Sequence, residues 1–209
     1  MDDCMRAMAM SFLASLILFS PESLAADTFL TVEEAGPDYA LQGEYSGEIM
    51  HDGQTVKLGL QVIAMGDHKF DAVAYPGGLP GDGWNGEEKF RANGSTVDGE
   101  TKIMAAGHGH AILKDGEALL YSESGESTGS LKKVERKSPT LNAKPPEGAV
   151  VLFDGKSADN FVRGKITMDN LLAADCETKD KFGDHTLHIE FRTPFKPAGR
   201  GQDRGNSGV

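Results

Sequence analysis

Cysteine is almost missing from this sequence: Cys4 and Cys176 are the only two in 209 residues, and Cys4 lies within the first 25. One remaining thiol cannot close an internal disulfide, so a stapled framework is excluded and a packed core must supply the stability. No Cys-His pairing stands near Cys176 to activate it, and it reads as a small buried hydrophobe. Basic side chains are scarce as well, with 21 Lys and Arg against 32 Asp and Glu and a formal net charge of -11. That surface repels polyanions, which argues against nucleic acid as a partner and leaves a neutral ligand open. There is no phosphate-binding glycine loop ending in Lys-Ser/Thr, no His-Glu-x-x-His, no Cys-x-x-Cys and no Gly-x-Ser-x-Gly. The residues alone therefore name no reaction.

The longest apolar run, residues 7–19, is too short to span a bilayer comfortably. With Arg6 before it, Pro21 after it and small residues at Ser23 and Ala25, it has the layout of an export signal cut near Ala25 or Ala26. Asp2 and Asp3 offset the positive charge of its first segment, and a buried N-terminal helix is the alternative reading. Residues 1–25 are thus predicted to be a signal peptide, placing the protein outside the cytoplasm, periplasmic or secreted, and not integral to a membrane after processing. Removing them takes away Arg6, Asp2, Asp3 and Glu22, leaving 20 basic against 29 acidic side chains, or -9.

What is present in quantity is glycine and short alternating runs. Val56, Leu58, Leu60 and Val62 follow period two, as do Phe70, Ala72 and Ala74. Asp52-Gly53, Asn93-Gly94, Asp98-Gly99 and Asp115-Gly116 offer hairpin chemistry. Residues 26–135 are predicted to be an all-β unit, a small antiparallel meander closed as a barrel or stacked as a sandwich. The most helical piece is 31–39, which Gly36-Pro37 should end early. Residues 136–148, rich in proline, read as a semi-rigid linker. The basic cluster Lys132, Lys133, Arg136 and Lys137 beside it reads as a solvated strand end.

A second unit follows at 149–209. Residues 149–153 and 182–191 are predicted strands, the latter with Leu187, Ile189 and Phe191 on one face and Thr186, His188, Glu190 and Arg192 on the other. Domains do not normally stop where a new strand begins, so this unit is expected to be incomplete within the 209 residues.

Three strings in this unit carry a resemblance: Val-Val-Leu-Phe-Asp-Gly-Lys-Ser-Ala-Asp-Asn-Phe at 150–161, Lys-Phe-Gly-Asp-His-Thr-Leu-His-Ile-Glu-Phe-Arg at 181–192, and Arg-Gly-Asn-Ser-Gly-Val at 204–209. In order and spacing they resemble the opening of the 3-keto-disaccharide hydrolase domain family. Asn160-Phe161 stands where that family usually has Gly-Trp. The resemblance implies the truncated start of a concanavalin A-like jelly-roll sandwich, an activity cleaving glycosidic bonds, and an oxidised di- or oligosaccharide as substrate. The segment 74–86, Ala-Tyr-Pro-Gly-Gly-Leu-Pro-Gly-Asp-Gly-Trp-Asn-Gly, is similar to a companion domain found ahead of it in exported proteins.

Elimination from a 3-keto sugar needs a general base, donors or a metal at the developing enolate oxygen, and a proton source for the leaving group. Among the residues in view, Glu190 and His188 are the candidate catalytic groups, and Arg192, Arg204, Asn206 and Ser207 the candidate substrate-binding groups. The same alternation of Thr, His, Glu and Arg also fits a solvated outer face with cross-strand ion pairs, and Asn206-Ser207-Gly208 also fits turn chemistry. No cofactor is called for and no metal set is legible: His185 and His188 fall on opposite faces of a strand, and His108 and His110 lack a third ligand. Trp84, the lone tryptophan, suits either local packing or stacking on a sugar ring. The rival to a hydrolase is a non-catalytic carbohydrate-binding module of the cell envelope, because one sandwich serves both purposes; an envelope structural protein is a third reading.

Overall fold

The computed structural model describes residues 27–205 and 208; the predicted signal peptide, Cys4, Asn206 and Ser207 lie outside the described residues. Eight antiparallel strands form a closed meander barrel: β1 (Gly43–His51), β2 (Gln54–Gly66), β3 (Lys69–Pro76), β4 (Phe90–Val97), β5 (Glu100–Ala105), β6 (Gly109–Lys114), β7 (Glu117–Tyr121) and β8 (Ser127–Val134). Each strand pairs with the next, and β8 returns to β1 with Glu44 opposite Val134 and Ile49 opposite Gly129. Closure leaves no edge to pair with another chain, which decides between the barrel and sandwich alternatives.

The period-two pattern sets which side chains fill the barrel. Tyr45, Leu60, Val62, Phe70, Ile103, Leu113 and Leu131 meet in one core, and Tyr45, Phe70, Ile103 and Leu131 are each at most 2% exposed. Each such aliphatic or aromatic side chain contributes about 1.5–3 kcal/mol on burial. The Tyr45 hydroxyl donates to the Leu41 carbonyl at 2.6 Å, and burial pushes its pKa up to about 12. Thr101 is buried but shares its hydroxyl with that of Thr96 at 2.7 Å.

Asp52-Gly53, Asp98-Gly99 and Asp115-Gly116 form two-residue hairpin loops with positive φ at both positions, as the sequence predicts. Asn93-Gly94 does not turn: it lies inside β4. A Cβ on Gly94 would stand 1.9 Å from the Lys102 carbonyl oxygen, so this glycine serves a close approach of β5. The β2–β3 connection, which the sequence reading missed, is Asp67-His68, with φ 52° and 56° and no glycine.

The helix α1 (Val32–Leu41) precedes the barrel, and Thr31 caps it by accepting from the Glu34 N–H. Its first stretch ends at Gly36, which leaves the helical region at φ 69° and ψ -171°, as the sequence predicts, and Pro37 then begins a second helical stretch, a position where its missing N–H costs nothing. Among the described residues no helix is long and apolar enough to cross a membrane.

Beyond β8, every residue from 135 to 151 is exposed, as a linker requires. The predicted strands at 149–153 and 182–191 are not formed. A strand exists only through its neighbour's backbone groups, and residues 182–191 have no ladder partner, so their N–H and C=O groups face water. Leu187, Ile189 and Phe191 are 44%, 53% and 69% exposed. The ladder present here is the short pair β9 (Phe161–Val162) and β10 (Glu177–Thr178), with Asn160 Nδ2 tying the Leu152 carbonyl to it at 2.8 Å.

Candidate functional site

β2 runs four residues past its neighbour: β1 begins at Gly43 opposite Val62 and β2 ends at Gly66, so Ala64 faces no strand on that side. Side chains replace the missing ladder. The Ala64 N–H donates to Gln42 Oε1 at 3.4 Å, and its carbonyl accepts from Arg204 Nη2 at 2.6 Å. A bulge between Ala64 and Gly66 turns the Met65 carbonyl out, where Arg200 Nη2 meets it at 2.8 Å. Gly66 lets the loop in, since a Cβ there would lie 3.1 Å from Ala198 Cβ. Two arginines thus fasten residues 195–204 to the barrel's end.

Phe195 completes the attachment. Its carbonyl accepts from the Phe29 N–H at 3.0 Å, its ring packs edge-on to Tyr39 with centroids 5.2 Å apart, and it rests on the barrel core. Lys133 closes the same end, donating Nζ to the Ala40 carbonyl at 2.5 Å near the C-terminus of α1; burial lowers its pKa. His68, on the β2–β3 turn, holds Asp38 of α1 with Nδ1 2.9 Å from Oδ1.

Between this barrel end and the incoming segment lies an open cleft of about 720 Å³. Tyr39 and Gln42 line it from the barrel unit, and Phe191, Arg192, Phe195 and Arg204 from the segment. No carboxylate lines it; Arg192, Lys196 and Arg204 bring donors, and the hydroxyls of Tyr39 and Thr193 can donate or accept. Arg192 donates Nη2 to Asp169 Oδ2 at 2.5 Å, and Arg204 donates Nη1 to the Pro197 carbonyl at 2.7 Å besides its bond to Ala64. Burial, then the neighbouring Arg200, lowers the Arg204 pKa, although a guanidinium stays protonated throughout the ordinary pH range.

The two predicted catalytic residues come together outside this cleft. His188 Nε2 lies 3.2 Å from Glu190 Oε1, which also accepts the Asn142 backbone N–H at 2.5 Å. Their side chains are 55% and 35% exposed. Of the predicted binding residues, Arg192 and Arg204 share the cleft, whereas Arg192 and Glu190 each have a different polar partner. Tyr39, Gln42 and Phe195 were not singled out by sequence reasoning. The available signal was Phe195 itself, one aromatic residue in Thr-Pro-Phe-Lys-Pro, where the flanking prolines stiffen the backbone.

Other polar features of the barrel serve its own structure. Tyr75 donates to Gln61, Gln61 to Glu44, and Arg136 grips both Glu44 oxygens while donating to the Pro80 carbonyl at 2.8 Å. The Arg136 bond lowers the Glu44 pKa against the opposing effect of burial. Trp84 packs edge-on to Tyr75 at 5.0 Å and donates Nε1 to the Glu88 carbonyl at 2.8 Å, which is the local-packing role. His108 lies against Phe90 and His110 stacks on Tyr121, each 5.0 Å or less between centroids. Among the described residues no three His, Cys, Asp or Glu side chains group to hold a metal. Compared with protein-family models, with characterised proteins and with solved structures, the chain matches none.

Proposed function

We propose that the protein is an exported hydrolase that cleaves the glycosidic bond of 3-keto-disaccharides or 3-keto-glycosides, with residues 149–209 supplying the opening strands of a concanavalin A-like jelly roll. The observation that carries this reading is the contact of His188 with Glu190, 3.2 Å apart, within the second of the three family-like strings. A carboxylate beside an imidazole provides a base and a proton carrier in one place. The uncovered alternating row of Leu187, Ile189 and Phe191 supports the jelly-roll part, because it has the pattern that a strand buries on one face when a neighbouring sheet covers it.

The reaction follows from the sugar's chemistry. The C3 ketone acidifies the C2 hydrogen, and Glu190 removes that proton. The electron pair left behind forms the enolate, which collapses to break the C1–O bond and leaves an enone. The departing oxygen takes a proton, with His188 as the donor in reach of Glu190. Water then adds its hydroxyl to C1 and a proton to C2, so net hydrolysis results. Arg192 and Arg204 supply positive charge toward sugar or enolate oxygens, with Asn206 and Ser207 as further hydrogen-bonding groups.

A second reading, a carbohydrate-binding module, is favoured by one observation: the cleft holds aromatic rings and donors without a carboxylate. The deciding experiment incubates the purified protein with a 3-keto-disaccharide and with its unoxidised parent, and follows released monosaccharides. Cleavage of the keto form alone, reduced about 100-fold or more in Glu190→Gln, is the expected result for a general base. Binding of both sugars without turnover would replace the hydrolase by the module.

A further inference from the structure

We propose that the linker is a working part of the candidate catalytic site: the backbone N–H of Asn142 positions Glu190, so that Oε1 is held and Oε2 is the oxygen that meets the C2 hydrogen of the sugar. The reaction is that of the hydrolase reading, on which this role rests; the contact itself is independent of it. Residues 182–191 form no ladder, so no sheet fixes the backbone beneath His188 and Glu190. A general base on such a segment needs an outside hold, because an error of about 1 Å in its placement costs about 100-fold in rate.

The linker supplies that hold through a turn. The Leu141 N–H donates to the Ser138 carbonyl at 3.1 Å, and the Ala143 N–H to the Thr140 carbonyl at 3.0 Å. The Thr140 N–H reaches the Ser138 hydroxyl at 3.3 Å, and that hydroxyl meets the Thr140 hydroxyl at 2.9 Å. Between two donors spent inside the turn, the Asn142 N–H points outward and donates to Glu190 Oε1 at 2.5 Å, across 48 residues of chain. Asn142 has φ 60°, which asparagine tolerates at the third position of a turn. A bond from an N–H to a carboxylate is charge-assisted and stronger than one between neutral groups. His188 Nε2 approaches the same Oε1 at 3.2 Å, and among the described residues Oε2 accepts no hydrogen bond. Its lone pairs are left for proton transfer. Two residues on, Arg192 is tied to Asp169 at 2.5 Å, so the polar row is fastened at both Glu190 and Arg192.

Asn142→Pro removes the N–H, and proline cannot take the positive φ, whereas Asn142→Gly keeps both. With a 3-keto-disaccharide as substrate, kcat is expected to fall about tenfold or more in Asn142→Pro with KM held within about twofold, and Asn142→Gly should recover kcat to within a few-fold of the parent protein. Equal thermal unfolding of the two variants separates this loss from misfolding. Amide hydrogen exchange at residue 142 gives a readout that needs no turnover: truncating the acceptor in Glu190→Ala should accelerate it about tenfold. If the parent protein cleaves the keto sugar and Asn142→Pro keeps its kcat, or Asn142→Gly loses as much as Asn142→Pro, the positioning role is overturned and the hydrolase stands. Exchange at residue 142 that is indifferent to Glu190→Ala overturns the contact whatever the activity. If exchange responds and nothing is cleaved, the hold on Glu190 stands and the hydrolase falls.

Discussion

At the scale of single residues, the backbone's demands outrank sequence habit. Asn93-Gly94 has the composition of a hairpin turn yet lies in β4, because the space beside residue 94 is occupied by the Lys102 carbonyl and by Ile103 Cα. Gly59 stands in the same position toward the loop that carries Leu79, where a Cβ would come within 2.6 Å of the Leu79 nitrogen. Leu79 is consequently fully buried on the outside of the barrel wall. Gly94→Ala is expected to destabilise the barrel by about 1–3 kcal/mol, the usual cost of forcing atoms into a packed site. Urea unfolding measures it, and a midpoint equal to that of the parent would show that β5 can give way.

Among the elements, α1 is held to the barrel by contacts that titrate differently. Asp38 is buried and faces His68, whose pKa is raised chiefly by its hydrogen bond and charge contact with Asp38, with Asp67 adding to it against slight desolvation. A raised histidine pKa means that the folded state binds the proton more tightly. The contribution is therefore complete below the unfolded value of about 6.5 and declines as pH rises through the higher folded value. The stability difference between the parent protein and His68→Gln should be largest near pH 5.5 and shrink toward pH 9. A difference that stays level across that range would mean that the contact adds no proton-linked stability. The strands themselves were legible from residues 56–62 and 70–74, since a period of two needs only local sequence to read. The run at 182–191 has the same period and forms no strand, because pattern supplies a face and only a neighbouring backbone supplies the ladder.

On the scale of the whole molecule, the two parts of the chain are joined through the barrel's end. Arg204 occupies the orphan carbonyl of Ala64, Arg200 that of Met65, and Phe195 the rim of the core. Arg204→Ala should weaken docking of residues 193–205 by about 1–3 kcal/mol, the cost of leaving a half-buried acceptor unpaired. Hydrogen exchange in that segment should accelerate while β1 to β8 keep their protection; unchanged exchange would show that Arg200 and Phe195 hold the loop without Arg204. The sequence by itself determined the all-β character of residues 43–134, three of their hairpin turns and the acidic charge balance. Each of these depends on alternation, on residues that tolerate positive φ, or on a simple charge balance. Only the tertiary structure decided that the sheet closes, that a second helical stretch follows Gly36, and that Tyr39 and Gln42 share a cleft with Arg192 and Arg204. Those facts depend on which backbone groups are left without partners when distant segments meet, and a pattern along the chain does not contain that information.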